Sequence, residues 1–295
     1  MDIAAHQRAS YEALLEHADG PFITERPALF SPAAAAQDEA NAGGTFGRFA
    51  QVLLPLEYTS WVDESQAHLR TCYLGDWTSL NKVTIRGPQA LEFLSWLGMN
   101  DLSRFETGQI RHHVQLDEHG WVASEGVLCR AGDEKFAYTA GSCDWLRRQI
   151  GIGDWDAEVT DVSPDRFIFG VQGPYSLHTL ERATGYDLRD LGFNRLRPAR
   201  IGPIPVTLLR TGISGELGYE IHGPAGDANQ IWTALIEAGA EFGLHLLGFR
   251  SQPVQHIEAG IATNGLDYLP AAILTPGVPR RNWRGAPRVR MAAGR

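Results

Sequence analysis

Lysine and positive charge are both scarce in this sequence. Of its 26 basic residues only Lys82 and Lys135 are lysines, and neither has neighbours that suggest covalent chemistry. Schiff-base catalysis is therefore not expected. The 26 basic residues are outnumbered by 35 acidic ones, which gives a net charge of −9. A negative protein repels phosphate groups, so neither nucleic acid nor a membrane surface is an expected partner.

Cysteines and long apolar runs are also few. The three cysteines, Cys72, Cys129 and Cys143, form no C-x-x-C pair and no Cys/His cluster. We therefore expect neither a disulfide framework nor a metal site. No apolar run approaches the roughly 18 residues of a membrane span, and polar residues interrupt the N-terminal segment where a signal peptide would be apolar. These features predict a cytoplasmic protein, and the 43% hydrophobic fraction supports a sizeable core.

The pattern of the chain predicts an α+β fold. Residues 1–50 have weak patterning and predict an N-terminal arm with one short amphipathic helix at 10–18. From Val52 onward, short apolar strands alternate with helical stretches. A strand, a Gly-Pro corner and a helix follow one another three times, with the prolines at 88, 174 and 224. Both a common corner that arose three times and an internal duplication remain open.

The last residues differ in composition from the rest. Residues 268–295 contain no acidic residue and carry six arginines after Pro279. A basic tail that binds a partner is one interpretation. The favoured interpretation is a truncation or a shifted reading frame, because the segment lacks helix and strand periodicity and follows a domain that stops mid-fold.

Two carboxylates are candidates for chemistry, each with an ordinary alternative. Asp101 follows an apolar helix at 90–97, where it either caps the turn at Ser103 or points into a cleft, and the cap is favoured. Glu216 and Glu220 are four residues apart, which would place them on the same side of a strand. Such a pair is usually solvated, but the glycines around it would let the backbone approach a flat ligand.

Arg250 is the third candidate. It follows Gly248-Phe249 in a turn, a setting that suits bidentate hydrogen bonding to a carboxylate. A salt bridge within the protein is the more frequent outcome.

The order of these motifs resembles the glycine-cleavage T-protein superfamily of tetrahydrofolate-dependent aminomethyltransferases. The resemblance runs from about Glu57 to Gly260, and 57–61 and 94–100 look closer to the vanillate and syringate O-demethylases within it. The motifs are N-D-L-x-x-x-x-x-G-Q (100–109), V-Q-G-P (171–174), T-G-x-S-G-E-x-G-Y-E (211–220), L-G-F-R (247–250) and I-E-A-G (257–260).

The resemblance implies a fold, a cofactor and site residues. The fold would be interleaved folate-binding modules over 51–267, with an inner module at about 71–150 and without the C-terminal β-barrel of the family. Tetrahydrofolate would be the cofactor. Asp101 would be the catalytic residue beside the accepting nitrogen, and Glu216 would pair with the pterin N–H edge. Arg250 and Tyr219 would complete the cofactor-binding set.

Three departures from the family pattern leave the substrate open. The Asp-Asp after the hairpin in T-proteins is Ser124-Glu125 here. A histidine of the demethylases aligns with Thr78 or Ser79, and their substrate-binding arginine is replaced near 141–142. The expected function is one-carbon transfer to tetrahydrofolate from a small-molecule donor, of O-demethylase or aminomethyltransferase type. A noncatalytic folate-binding regulator and an inactive truncated homologue are the alternatives, and the oligomeric state is left open.

Overall fold

The computed structural model describes residues 29–50 and 52–271, which form seven α-helices and fourteen strands. The helices are α1 (Ala34–Ala40), α2 (Trp61–Arg70), α3 (Ala90–Leu97), α4 (Asp144–Ile152), α5 (Ser176–Thr184), α6 (Ala228–Gly239) and α7 (Gln252–Ala259). The strands are β1 (Leu29–Phe30), β2 (Phe46–Phe49), β3 (Val52–Pro55), β4 (Cys72–Asp76), β5 (Asn81–Arg86), β6 (Ile110–Leu116), β7 (Val122–Gly132), β8 (Lys135–Ala140), β9 (Glu158–Asp161), β10 (Arg166–Gln172), β11 (Leu196–Ile201), β12 (Ile204–Leu209), β13 (Gly218–Pro224) and β14 (Leu244–Leu247).

A five-stranded antiparallel sheet forms the inner unit, in the order β6-β7-β8-β5-β9. Helices α3 and α4 cover one of its faces. The buried positions of α3 are 90, 93, 94 and 97, the spacing that places side chains on one helical face. Phe93 and Leu94 pack there against Ile85, Leu128 and Phe136. Burial of this apolar stripe explains why the 90–97 segment is helical.

A six-stranded sheet forms the second unit, in the order β11-β12-β13-β10-β4-β14. Strand β14 runs parallel to β4, and the other neighbours are antiparallel. Helices α5 and α6 pack on one face. There the rings of Trp232 and Phe169 meet edge to face, with 5.0 Å between their centroids. The opposite face carries Tyr73 and Trp77, which form a smaller apolar cluster with Ile168 and Leu247. The α+β class predicted from the pattern is therefore correct.

The two sheets repeat one topology and are interleaved. Each unit runs strand, helix, three antiparallel strands and helix, from β5 to α4 and from β10 to α6. Beside β5 lies β9, and the same place beside β10 is taken by β4, which precedes the inner unit in sequence. The corners at Gly87 and Gly173 match closely, with φ of +130° and +123°. At each, an added Cβ would lie 2.6 Å from a carbonyl oxygen, so both require glycine. These equivalences favour an internal duplication over a recurrent corner.

The two units are joined edge to edge by backbone hydrogen bonds. The N–H of Ile110 donates to the Asn194 carbonyl at 2.8 Å, and the N–H of Leu196 donates to the Gly108 carbonyl at 2.9 Å. Ile110, Cys129 and Leu209 bury a small apolar cluster across this junction. The junction fixes the relative position of the turns that leave the two sheets.

Residues 29–50 differ from the predicted arm, because they are folded onto the domain. β1 and β2 flank β3 in a three-stranded sheet, and α1 packs near α6. Ser31 and Gln37 both donate to the buried carboxylate of Asp76, the latter at 2.7 Å. An alanine-rich segment has high helix propensity, and a buried carboxylate needs donors, which together account for the difference.

Several sequence predictions fall outside the described residues. These include the amphipathic helix at 10–18 and the arginine-rich segment beyond residue 271. Within the described part of the chain, no helix has both the length and the apolar character that crossing a membrane requires.

Candidate functional site

Asp101 lies in an exposed turn directly after α3. Its Oδ1 accepts a hydrogen bond from the N–H of Ser103 at 2.8 Å, so the cap predicted from the sequence is present. This bond, with the Ser103 hydroxyl and the charge of Arg104, lowers the pKa of Asp101 below its ordinary value. The carboxylate is therefore ionised at neutral pH and open to solvent, which is what a group that acts on a bound ligand also requires.

The turn that carries Asp101 is held against β6. Asn100 Oδ1 accepts the Val114 N–H at 2.7 Å, and the Met99 N–H donates to the Val114 carbonyl at 2.9 Å. His113 is fully buried beneath the turn, and its Nε2 lies 2.9 Å from the Leu94 carbonyl oxygen. Burial lowers the pKa of His113, so the imidazole is neutral and serves as packing under Gly98.

The pair Ser124-Glu125 is committed to structural contacts. The buried Ser124 hydroxyl lies 2.9 Å from the Tyr138 hydroxyl and donates to the Ser142 carbonyl at 2.7 Å. Burial alone would raise the pKa of Glu125, but hydrogen bonds from His112, Tyr268 and the Asn264 N–H lower it. Glu125 thus stays ionised and ties β7 to the segment that follows α7.

The segment at Thr78 and Ser79 is built around the buried carboxylate of Asp76, which no sequence motif marks. Asp76 Oδ1 accepts the Thr78 N–H at 2.8 Å, and both Thr78 and Ser79 are buried. Lys82 is buried close by and donates to the carbonyls of Thr78 at 2.8 Å and Leu80 at 2.6 Å. Burial lowers the pKa of Lys82 to about 8. The buried Asp76 and Lys82 fix the start of the inner unit.

Glu216 lies in the loop formed by residues 211–217, hereafter the Glu216 loop. The strand that follows begins only at Gly218, so the prediction that Glu216 and Glu220 share one side of a strand is wrong. Counting in steps of two failed because residues 216 and 217 still belong to the loop, in which the chain turns at Gly215 with a φ of +77°. Glu216 is exposed, and its N–H donates to Ser214 Oγ at 3.3 Å.

Tyr219 and Glu220 occupy opposite faces of β13. Tyr219 is 1% exposed and packs in the core beneath α5 and α6. Glu220 faces the other way and pairs with His222 Nε2 at 2.9 Å. Burial raises the pKa of the Cys129 thiol, with a further contribution from the nearby charge of Glu220. Of this pair, only Glu220 lies on the face directed toward the inner unit.

Arg250 and Glu57 are brought together, although they are 193 residues apart. Arg250 Nη1 lies 3.4 Å from Glu57 Oε1, so the salt bridge within the protein, the more frequent outcome for such an arginine, is present. The fully buried Glu64 holds the segments that carry Glu57 and Arg250 next to each other. Its Oε1 accepts the N–H groups of Tyr58 and Thr59 at 2.7 and 2.8 Å, and its Oε2 accepts the Gly248 N–H at 2.8 Å.

The structure places the predicted residues on separate segments. Arg250, the last residue of the L-G-F-R motif, pairs with Glu57, and Glu216 lies on the loop held by the V-Q-G-P corner. Asp101 belongs to a turn of the inner unit. Glu64 and Asp76 were missed because a single carboxylate in the sequence gives no signal of burial.

Comparison with known proteins identifies relatives over most of the chain. The model of the GCVT N-terminal domain matches residues 36–272. The sesamin methylene transferase of Sinomonas sp. (strain No.22) is 36% identical over 222 residues, 73% of this chain and 48% of that protein. An aminomethyltransferase of Thermus thermophilus is 31% identical over 221 residues, 74% of this chain and 62% of that protein.

A solved structure gives the same result. The glycine cleavage system aminomethyltransferase T from Bartonella henselae superposes with a TM-score of 0.73 at 25% identity, and the match covers 82% of this chain and 65% of that one. The chain therefore spans about half to two thirds of the length of these relatives. Motif order, interleaved topology and the family match agree, and this chain belongs to the GCVT family of aminomethyltransferase-type proteins.

Proposed function

We propose that this chain binds tetrahydrofolate and transfers a one-carbon unit to it from a small donor. The observation that carries the proposal is the match of the GCVT model to 36–272, together with relatives named for methylene and aminomethyl transfer. The expected contribution of the protein is alignment of donor and acceptor, an effect that can reach about 7–11 kcal/mol of the barrier.

The residues of this chain fit the proposed cofactor. A pterin presents adjacent N–H donors, and a carboxylate that accepts two hydrogen bonds is their natural complement. Glu216 is exposed, and among the described residues nothing pairs with its carboxylate, so both oxygens are available. Bound tetrahydrofolate would supply the nitrogen that accepts the one-carbon unit.

Asp101 would serve as the charged group beside the reacting atoms. Its lowered pKa keeps it ionised, and its Oδ1 is held by the Ser103 N–H. A fixed carboxylate can stabilise positive charge that develops during transfer. Arg250 would contribute a cation at the surface, where its contact with Glu57 is long enough at 3.4 Å to be exchanged for an acidic group of the ligand.

A turnover assay tests this proposal. The purified chain is incubated with tetrahydrofolate and, in separate reactions, with aminomethyl donors, methoxylated aromatic acids and a methylenedioxy aromatic compound. One-carbon derivatives of folate are then measured by mass spectrometry. Product from any one donor is the expected result, and it identifies the donor class. Absence of product from all donors, with folate binding intact, would contradict transfer.

A noncatalytic folate-binding role is the second candidate. The observation that favours it is the use of Ser124 and Glu125, at the positions of the T-protein Asp-Asp pair, for internal hydrogen bonds. The same assay separates the two functions, because a regulator would bind folate and give no product.

A further inference from the structure

We propose that Gln172 is a positioning residue that fixes the Glu216 loop for folate binding. The inference rests on the proposed function and adds a residue to it. Gln172 ends β10 in the V-Q-G-P motif and is completely buried, with Tyr73 and Gly218 as its cross-strand neighbours. Its side chain lies under the Glu216 loop.

The amide of Gln172 holds the loop through two backbone groups. Its Oε1 accepts hydrogen bonds from the N–H groups of Ile213 and Ser214, both at 3.1 Å. One oxygen therefore fixes two consecutive residues. Ser214 in turn holds the backbone of Glu216, because its Oγ accepts the Glu216 N–H at 3.3 Å. The chain of contacts runs from the sheet to the carboxylate-bearing residue.

Glycines make room for this contact. A Cβ at Gly212 would lie 2.4 Å from Gln172 Oε1, and one at Gly218 would lie 2.8 Å from its Cγ. Neither separation is sterically possible without movement. Gly212 and Gly218 of the T-G-x-S-G-E-x-G motif therefore make room for the glutamine beneath the loop, in addition to any approach of a ligand from above.

The same corner holds the other end of the loop. The N–H of Gly173 donates to the Leu217 carbonyl at 2.7 Å, and the Ser176 hydroxyl donates to it at 3.1 Å. With positions 213, 214 and 217 fixed, Glu216 is confined on both sides. A preordered loop loses less conformational entropy when a ligand binds, which raises affinity.

Substitutions at 172 separate positioning from simple packing. Q172M keeps the length of the side chain and removes the acceptor, whereas Q172E keeps an acceptor oxygen. The Nε2 of Gln172 has no hydrogen-bond partner among the described residues, so Q172E loses no bond there. The matched control is Q115M, since Gln115 is equally buried but lies on β6 of the inner unit. Each variant is tested by hydrogen exchange of 211–217, by thermal unfolding and by titration with tetrahydrofolate.

We expect Q172M to speed exchange at Ile213 and Ser214 and to raise the Kd for tetrahydrofolate about tenfold, with Q115M unchanged. Q172E keeps the acceptor and should slow exchange at these two positions relative to Q172M, although its buried carboxyl lowers the melting temperature. If Q172M does not fold, Q172N, which shortens the reach of the amide, takes its place. Wild-type Kd in a folded variant that lacks the contact would overturn the positioning role. A wild-type protein that binds no folate contradicts the proposed function instead, a result that is distinguishable from the first.

Discussion

Asp101 combines a local structural contact with a position open to a ligand, and one substitution separates the two. Asn makes the same hydrogen bond to the Ser103 N–H, because Asn and Asp cap equally well. D101N should therefore leave the melting temperature unchanged. If the charge acts on the transferred group, D101N should lower turnover at least about a hundredfold. Turnover at the wild-type rate would show that Asp101 is only a cap.

The sequence could predict only those contacts of the site residues that are made between residues close together in the chain. The Asp101 cap depends on residues two positions apart, and the sequence predicted it. Glu216 was assigned to a strand because a period of two was counted from 216 to 220, whereas the strand begins only at Gly218. Glu64 was not singled out, because its partners at 58–59 and 248 are distant or on another element. Contacts between remote segments carry no local signal.

At the scale of elements, α2 acts through Glu64 as a clamp between two loops. The five acceptor contacts of Glu64 join residues 58–59 to residues 248 and 251. E64Q replaces one acceptor oxygen with an N–H group that faces buried donors, which should lower the free energy of unfolding by about 1–3 kcal/mol. Urea unfolding measures this loss. E57Q is the control, because the exposed pair with Arg250 should contribute less than about 1 kcal/mol. Equal effects of the two variants would contradict the clamp.

Strand β5 contains Lys82, whose burial predicts a pH dependence. The unfolded chain holds this proton up to about pH 10.4, whereas the folded protein releases it near its pKa of about 8. Between these values the unfolded state binds more protons, so the contribution of Lys82 to stability rises with pH and is lost as pH falls through 8. Stability of the wild type relative to K82M should increase by about 2 kcal/mol from pH 8 to pH 10.

Chemical unfolding at pH 8, 9 and 10 measures this difference. Buried tyrosines such as Tyr58 and Tyr138 also have raised pKa values, but they are present in both proteins and cancel. A difference that stays constant with pH would show that Lys82 remains charged in the folded protein.

The elements themselves were largely predictable, whereas their pairing was not. The Gly-Pro corners at 87 and 173 have glycine, proline and an apolar helical stripe in sequence, and each lies where predicted. The pairing of β4 with β10 was not predictable from the pattern, because 89 residues separate the ends of the two strands at Asp76 and Arg166 and the inner unit lies between them. Residues 29–50 were misassigned because their small side chains carry little hydrophobic periodicity.

For the whole molecule, the interleaved units position the candidate residues. The junction at 108–110 and 194–196 fixes the inner unit, which carries Asp101, against the sheet that carries Glu216. Glu64 then fixes the Arg250 turn to the start of α2. Folate binding would use all three regions, so it tests the assembled fold as well as its individual residues.

Calorimetric titration of tetrahydrofolate into the full chain, with E216Q in parallel, tests the central claim most directly. The matched control is E237Q, since Glu237 is exposed on α6. We expect saturable heat with wild type and E237Q, and a Kd about tenfold or more higher for E216Q, since an N–H would oppose the pterin donors at a cost of about 1–3 kcal/mol. No heat from the wild-type protein at millimolar tetrahydrofolate would contradict folate binding, and equal affinity in E216Q would contradict the assignment of Glu216.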